Sequence, residues 1–438
     1  MEWDRAVVTR GFDYELRRFP PASRGEEGYK QTLNWIRAVD AGFYQKKRSE
    51  DFLARVAAAF VADGCELTGA FHAGPVNVGA LGPEVPAATF MTYRKTLNVG
   101  YRTLIPAHLI TWITVGTSHR RRGLLRQLMT EDLAQAKSDG IHIAALTATE
   151  ASIYRRFGFG AATAEHCITL STGPHFRLAV PTDGRVDAAD PAVLLELAPL
   201  VFERAHRATP GSIDRQESYR LRAAGTWEDA SGWDDIPLRA ALHFDAEGVP
   251  DGYVTYIFKG WEVEPLTIEI CDLVAATPEA YLSIWDFLGS LDLVRRIVWN
   301  EAPVDNPLAW ALEDARALRT QAAQDVLWLR ILDVKGALEA RRYGVDGSFV
   351  IDVEDSLELA AGRFLLTVQA GKAKVTHADG ERPDLVIDAA ELASLYLGGI
   401  RATTLREAGR IREMNPDTAV VLERLFAVER PVHCLTHF

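Results

Sequence analysis

The sequence is poor in the features that would fix its class at once. It has four cysteines in 438 residues, Cys65, Cys167, Cys271 and Cys434, and no CxxC pair. That scatter excludes the common structural zinc modules and fits a chain whose thiols stay reduced. No apolar run approaches the roughly 20 residues needed to cross a bilayer. The first residues, MEWDRAVVTRGFDYELRRF, are charged throughout and lack the apolar stretch of a secretory signal. The expectation is a cytoplasmic protein with no membrane partner. Neither GxxxxGK[ST] nor GxGxxG occurs, which excludes the P-loop and the Rossmann fingerprint. Positive charge is also short: the formal net charge is −12 and the pI near 5.5, against the basic footprint of a nucleic-acid binder. An acidic chain suits a cationic substrate, or is acidic for solubility alone.

What is present is ordinary globular material. Hydrophobic residues make up 48% and charged residues 25%, enough apolar content for more than one core. The length suits two to four domains. SEDFLARVAAAFVADG reads as an amphipathic helix ending at Gly64. Residues 67 to 115 read as short strands broken by Gly and Pro. Residues 107 to 160 then read strand, helix, strand, helix, an α/β unit with a parallel crossover. Its helix carries Leu124, Leu125, Leu128, Met129 and Leu133 at helical spacing and closes at Gly140. A middle region follows the strand FRLAVPTDG. It contains the helix PAVLLELAPLVFERAHRAT, the hairpin RAALHFDAEGVPDGYVTYIF and a second strand-to-helix order, as a diverged copy of the first region would. ALEDARALRTQAAQ reads as helical. From Val326 the pattern is strand-rich α+β, ending in the helix NPDTAVVLERLFA and the tail VERPVHCLTHF.

HRRRGLL, residues 119–125, stands out between the apolar strand AHLITWITVG and the leucine-rich helix. A helix N-terminus offers unpaired backbone N–H groups and the positive end of the helix dipole, and so favours an anion, most often phosphate. Gly123 allows close backbone approach, and arginines add charge-assisted bonds to phosphate oxygens. Without its flanking strand and helix, the stretch would read as a solvated cationic turn.

An R/Q-x-x-G-x-G/A turn in this setting resembles motif A of the GNAT N-acetyltransferases. Residues 120–125 fit it as RRRGLL, with Leu125 where a small residue is usual. That departure resembles one branch, the Eis (enhanced intracellular survival) acetyltransferases. VGTSHRRRGLLR, IAALTATEASIYRRFGFGAAT, VLWLRILDVKGALEARRY, ELASLYLGGIRATTL and the final HF all resemble Eis segments, in order, from residue 112 to the last.

The resemblance implies an α/β and α+β chain: two GNAT-fold regions followed by a sterol-carrier-protein-like C-terminal domain. The divisions expected are 1–174 for an acetyl-CoA-binding GNAT domain, 175–325 for a second, degenerate GNAT-like domain, and 326–438 for a domain whose C-terminus enters the active site. It further implies a homo-hexamer. Acetyl-CoA is the implied co-substrate and no metal is needed. The implied activity is acetyl transfer to primary amines of a cationic small molecule, aminoglycoside-like or another polyamine, by direct attack in a ternary complex. A protein lysine or a single non-antibiotic amine is the alternative acceptor. A lipid-binding role for the last domain would rest on fold alone.

Moving acetyl from a thioester to an amine requires that the amine lose a proton and the departing thiolate gain one. Tyr154 is the candidate acid, since a phenol with an ordinary pKa near ~10 is protonated at neutral pH. Its other reading is packing against Phe157 and Phe159. Glu150 is a candidate base by position. The resemblance points instead to the α-carboxylate of Phe438, weakly basic at roughly 3.3–3.7 unless desolvated or working through water. It also implies that Ile113, Thr114 and Val115 pair with the pantetheine amides. Arg121, Arg122, Gly123, Leu124, Leu125 and Arg126 would surround the pyrophosphate, with Thr149 and Glu150 along the pantetheine arm. Trp112 would border the substrate, or simply fill the core. Family members that acetylate aminoglycosides carry acidic pocket residues, one just before the terminal Phe; here that position is His437. The other is matched by Gln45 or Asp40. A metal or thiol site at His433, Cys434 and His437 is set aside, because zinc needs three or four placed ligands.

Overall fold

The computed structural model describes residues 14–438 except 75–81, 149, 174–175, 183 and 228–236. It contains three sheets. The first has seven strands, in spatial order Tyr14–Phe19, Glu66–His72, Ala88–Asn98, Leu104–Val115, Ile143–Thr147, Leu327–Ile331 and Gly160–Ala161. Side chains alternate across it with the two-residue period of a strand. Met91, Tyr93, Leu109, Ile143 and Ala145 face one core with Trp35, Phe52 and Phe60, from the helices Tyr29–Gly42 and Glu50–Ala62. Phe90, Ile110, Ala144 and Leu146 face the other with Leu124, Leu128, Met129 and Leu133, from the helix Leu124–Ser138. Ser49 caps the Glu50–Ala62 helix, accepting from the Phe52 N–H at 3.1 Å, with Glu50 and Asp51 at the positive end of the dipole.

The second sheet, also seven-stranded, runs Leu318–Asp325, Ala164–Ser171, Arg296–Pro303, Thr267–Ala275, Pro250–Phe258, Arg239–Phe244 and Arg185–Ala189. The third has five strands, Lys372–His377, Gly362–Gln369, Gly347–Glu354, Leu385–Asp388 and Ile411–Glu413. Its core is not separate: Phe349, Leu366, Leu392, Leu422 and Phe426 belong to the same cluster as Trp35 and Leu109. Two nearly inaccessible ionic groups stitch the last domain together and to the first sheet. Arg330, on the inserted strand, pairs with Asp355 at 2.6 Å, and Arg341 donates to the carbonyls of Tyr396 and Phe426.

The sheets do not respect the linear divisions at 174 and 325. Ala164–Ser171 leaves the first segment for the second sheet, and Leu327–Ile331 leaves the third for the first sheet, antiparallel to Ile143–Thr147. Two local expectations are corrected. ALEDARALRTQAAQ is not a helix: Leu318–Asp325 is an exposed edge strand paired with Ala164–Ser171, so cross-strand pairing overrides its helix-forming composition. Within FRLAVPTDG, residues 176–182 do not form a strand; Leu178 makes a single bridge to Leu312, and a strand comes later, at Arg185–Ala189.

The expected copy is present in the geometry. In the first sheet Leu104–Val115 pairs in parallel with Ile143–Thr147 only at His108↔Ala144 and Leu109↔Ala145, and is bulged where Thr114 and Thr111 face Thr89 and Met91. In the second, Thr267–Ala275 pairs with Arg296–Pro303 only as far as Ile270↔Trp299, and Cys271 is skipped in its register with Pro250–Phe258. Each domain thus has a bulged strand that parts from its parallel neighbour.

Candidate active site

The parted strands of the first domain end at the arginine turn. Gly116 donates to the Ala87 carbonyl at 2.8 Å, a single 3-10 turn Thr117–His119 follows, and Arg121 and Gly123 both take left-handed backbone conformations, φ 63° and 80°. A Cβ at Gly123 would meet nothing within 4 Å, so the conformation is what asks for glycine, and the face beside it stays open. The first intrahelical bond is Gln127 N–H to the Gly123 carbonyl at 3.0 Å. The N–H groups of Leu124, Leu125 and Arg126 therefore precede any helical acceptor, and Gly123 supplies no side-chain cap. Leu124 is buried and Leu125 half-buried, anchoring this end. The arginines are not equivalent. Arg120 Nε lies 3.4 Å from the Val115 carbonyl, Arg122 donates to the Tyr14 hydroxyl at 2.8 Å, and Arg121 and Arg126 are exposed. Tyr14 is in turn bonded to His119 at 2.7 Å; burial, then Arg122 and His72, hold that imidazole below its ordinary pKa.

Where the strands part lies a cavity of about 270 Å³. Trp112, with φ 52°, forms the bulge; its carbonyl accepts from the Thr89 hydroxyl at 2.9 Å, and that hydroxyl lies 2.6 Å from the Thr114 hydroxyl. Ile113, Thr114 and Val115 follow on the stretch no longer paired to Ile143–Thr147. The cavity wall includes Trp112, Ile113, Thr147, Tyr154 and Phe438. Trp112 also stacks on Trp35 at 6.4 Å and meets Phe60 edge-on at 5.0 Å, so it is both core and wall.

Tyr154 sits on the short helix Ala151–Arg155, 9% exposed, edge-on to Phe159 at 6.4 Å. It packs against the ring pair, as its other reading has it, and lines the cavity as well. Burial, then Glu150, raise the phenol above its ordinary pKa, so it stays protonated at neutral pH. Phe438 reaches the same cavity from the other end of the chain. Its N–H donates to the Thr147 hydroxyl at 3.2 Å, the Thr147 hydroxyl donates to its main-chain oxygen, and its ring meets Tyr93 at 6.1 Å. Glu150 is exposed at the start of the Tyr154 helix and does not line the cavity; Thr149 lies outside the described residues.

Asp40 and Gln45, the two alternatives for an acidic pocket position, both line the cavity. Asp40 is paired with Arg48 at 3.3 Å; burial raises its carboxyl and Arg48 opposes the rise. His437 departs from the expectation of a substrate contact. It is not in the cavity wall, because its ring turns to Glu165, a fully buried carboxylate 3.1 Å away. The residue reading also missed Thr147, Glu165, Tyr219, Arg215 and Asp272, which hold the last residues of the chain. Nothing local marks them: Glu165 stands in the strand AEHCITLS, and only its distant partner explains a buried charge there.

Comparison with known proteins agrees with this architecture. Residues 34–162 and 211–331 each match an acetyltransferase (GNAT) domain, and residues 334–435 match a sterol carrier protein domain. The chain is 35% identical over 404 residues to an uncharacterized N-acetyltransferase of Streptomyces avermitilis, covering 90% of this chain and 93% of that one. It is 32% identical over 372 residues to the N-acetyltransferase Eis of Mycobacterium tuberculosis, covering 81% and 86%. The crystal structure of Eis1 from Mycobacterium abscessus superposes with a TM-score of 0.80 at 28% identity, over 97% of this chain and all (100%) of that one. A GCN5-related N-acetyltransferase from Anabaena variabilis shares the fold, with a TM-score of 0.76 at 19% identity over 97% and 100% of the two chains. With two acetyltransferase domains, a sterol-carrier domain and these relatives, the chain belongs to the Eis family of GNAT N-acetyltransferases.

Proposed function

We propose that the chain moves the acetyl group of acetyl-CoA to a primary amine of a cationic small molecule, aminoglycoside-like or another polyamine, by direct attack in a ternary complex. The observation that carries this reading is that Tyr154 and Phe438 line one cavity, where the strands of the first domain part. The residues fit the co-substrate: N–H groups of Leu124, Leu125 and Arg126 at an uncapped helix start, with Arg121 and Arg126 exposed beside them, suit a pyrophosphate. Arg122, braced by Tyr14, adds fixed positive charge. Ile113, Thr114 and Val115 offer backbone to the pantetheine amides, on the stretch that has left its parallel neighbour. Acetyl-CoA brings the acetyl group activated as a thioester. The Phe438 carboxylate holds the incoming ammonium and takes its proton, directly or through water, and Thr147 fixes that carboxylate. Tyr154 keeps a proton for the leaving sulfur. A homo-hexamer in the cytoplasm belongs to the same proposal and rests on family resemblance.

A second reading, acetylation of a single non-antibiotic amine, is favoured by the Asp40–Arg48 pair, which spends the cavity's acidic side chain on an internal partner, and by His437 at the penultimate position. Acetyl-CoA consumption measured with aminoglycosides, polyamines, arylalkylamines and a lysine peptide separates the two. Turnover confined to monoamines favours the second, and no turnover with any amine sinks both.

A further inference from the structure

The second domain keeps the parted strands of the first but has closed the place where an anion would sit. Its helix Pro278–Gly289 opens on Thr277, whose hydroxyl accepts from the Ala280 N–H at 3.1 Å and donates to Asp251 at 2.7 Å. Asp251 is buried and paired with His243 at 2.5 Å. A phosphate arriving there would meet a buried carboxylate and a capped helix, the reverse of the open turn at Gly123.

The segment that packs into this domain is the chain's own end. Leu435 packs against both of the domain's hydrophobic clusters. Its carbonyl lies 3.4 Å from Arg215, which is held twice by Asp272, at 2.7 and 2.8 Å, one residue past the bulged Cys271. The Thr436 hydroxyl donates to the Ile213 carbonyl at 2.7 Å. The His437 N–H donates to the Tyr219 hydroxyl at 2.7 Å, which faces the His437 carbonyl at 3.4 Å, while the His437 ring meets Glu165. One residue later the chain leaves this domain and reaches Thr147 of the first.

We propose that the second domain is a clamp for the C-terminal segment, and that Tyr219 and Glu165 are positioning residues that set the Phe438 carboxylate in the acetyl-transfer cavity. This rests on the reading of that carboxylate as proton acceptor. A free chain end samples many conformations and holds a charged group nowhere in particular. Here the backbone on both sides of the last peptide bond is tied, His437 by Tyr219 and Phe438 by Thr147. The domain that lost an anion site thereby keeps a use for its parted strands.

The test is steady-state kinetics of the full-length Tyr219→Phe, Glu165→Gln and Phe438-deletion proteins, with thermal unfolding recorded for each. The clamp predicts that Tyr219→Phe and Glu165→Gln lower kcat by about 10- to 100-fold, the scale of an ångström-sized misplacement. The KM for acetyl-CoA stays within about twofold, since neither residue touches the pyrophosphate turn. Sodium formate, a small carboxylate free to diffuse into the cavity, restores part of the lost kcat in all three variants and not in the parent. If both substitutions keep the parent kcat while the deletion abolishes it, the clamp is overturned and the terminal base survives. If the deletion keeps the parent kcat, the base reading fails and takes the clamp with it. A fall in kcat with a matching rise in acetyl-CoA KM and no response to formate marks general damage and also overturns the clamp.

Discussion

Tyr154 packs on Phe159 and lines the cavity, and the two roles separate on substitution because only one needs the hydroxyl. Tyr154→Phe keeps the ring contact and removes the proton donor. Turnover is expected to fall by about 10²-fold or more, the scale of general acid catalysis, with the KM for acetyl-CoA little changed. Unchanged turnover would remove Tyr154 from the acid role. Gly123 makes the complementary case at the co-substrate turn. Its φ of 80° strains any L-residue by roughly 1–2 kcal/mol, so Gly123→Val should lower thermal stability slightly. It should also raise the acetyl-CoA KM several-fold, because the new side chain enters the open face beside the helix start. A normal KM for Gly123→Val would move the anion away from this turn. The places of both residues, at a helix start and beside the cavity, follow from local signals: a glycine ahead of a leucine-periodic helix, and a tyrosine one short helix after an apolar strand. His437 was misplaced for the opposite reason. Its partner Glu165 lies 272 residues away, and no spacing reports such a pair.

Among the elements, those with strong internal periodicity matched their reading and those defined by partners did not. Leu124, Leu128, Met129 and Leu133 mark the helix Leu124–Ser138 unaided. Leu318–Asp325 read as helical because Leu, Arg, Gln and Ala favour helices, yet it pairs along Ala164–Ser171. Leu327–Ile331 reads as a strand, but nothing within it says that it sits between Ile143–Thr147 and Gly160–Ala161. That insertion has a measurable consequence. Gly160 pairs with Leu329 and lies so close to the last domain that a Cβ there would fall 1.8 Å from the Ala390 carbonyl oxygen. Backbone cannot yield as a flexible side chain can. Gly160→Ala should therefore cost about 3 kcal/mol or more, the upper end of what overpacking typically costs, seen as a lower unfolding midpoint. A midpoint equal to the parent's would mean that the first sheet and the last domain are less tightly apposed than this contact implies.

For the molecule as a whole, the last four residues, Leu435 to Phe438, join the second domain to the cavity of the first, and the groups around them couple that junction to pH. Removal from water pushes the Glu301 carboxyl up to about 7, with His437 opposing and Asp272 and Glu165 adding to the rise. Burial lowers the His437 imidazole, but the bond to Glu165 and the charges of Glu301 and Glu165 outweigh it and leave it raised. Arg215 is the further charge facing both. Both shifts have the same sign for stability. Each group binds its proton more tightly folded than unfolded, so its contribution is full below the unfolded pKa and is lost as pH rises through the folded one. For Glu301 the window runs from about 4.3, the ordinary glutamate value, to about 7; for His437 it opens near 6.5 and extends above. Buried His433, held at about 4, titrates with the opposite sign and lower in the range. The informative measurement is therefore a difference: unfolding midpoints of the parent and Glu301→Gln from pH 5 to pH 8. The parent should lose stability relative to the variant as pH rises from 5, and the difference should level off above about 7, because the amide carries no charge to desolvate. Parallel curves would show that Glu301 keeps an ordinary carboxyl. In that case the junction between the second domain and the chain end would not sense pH through it, and any alkaline loss of activity would have to arise at Tyr154 or at the amine itself.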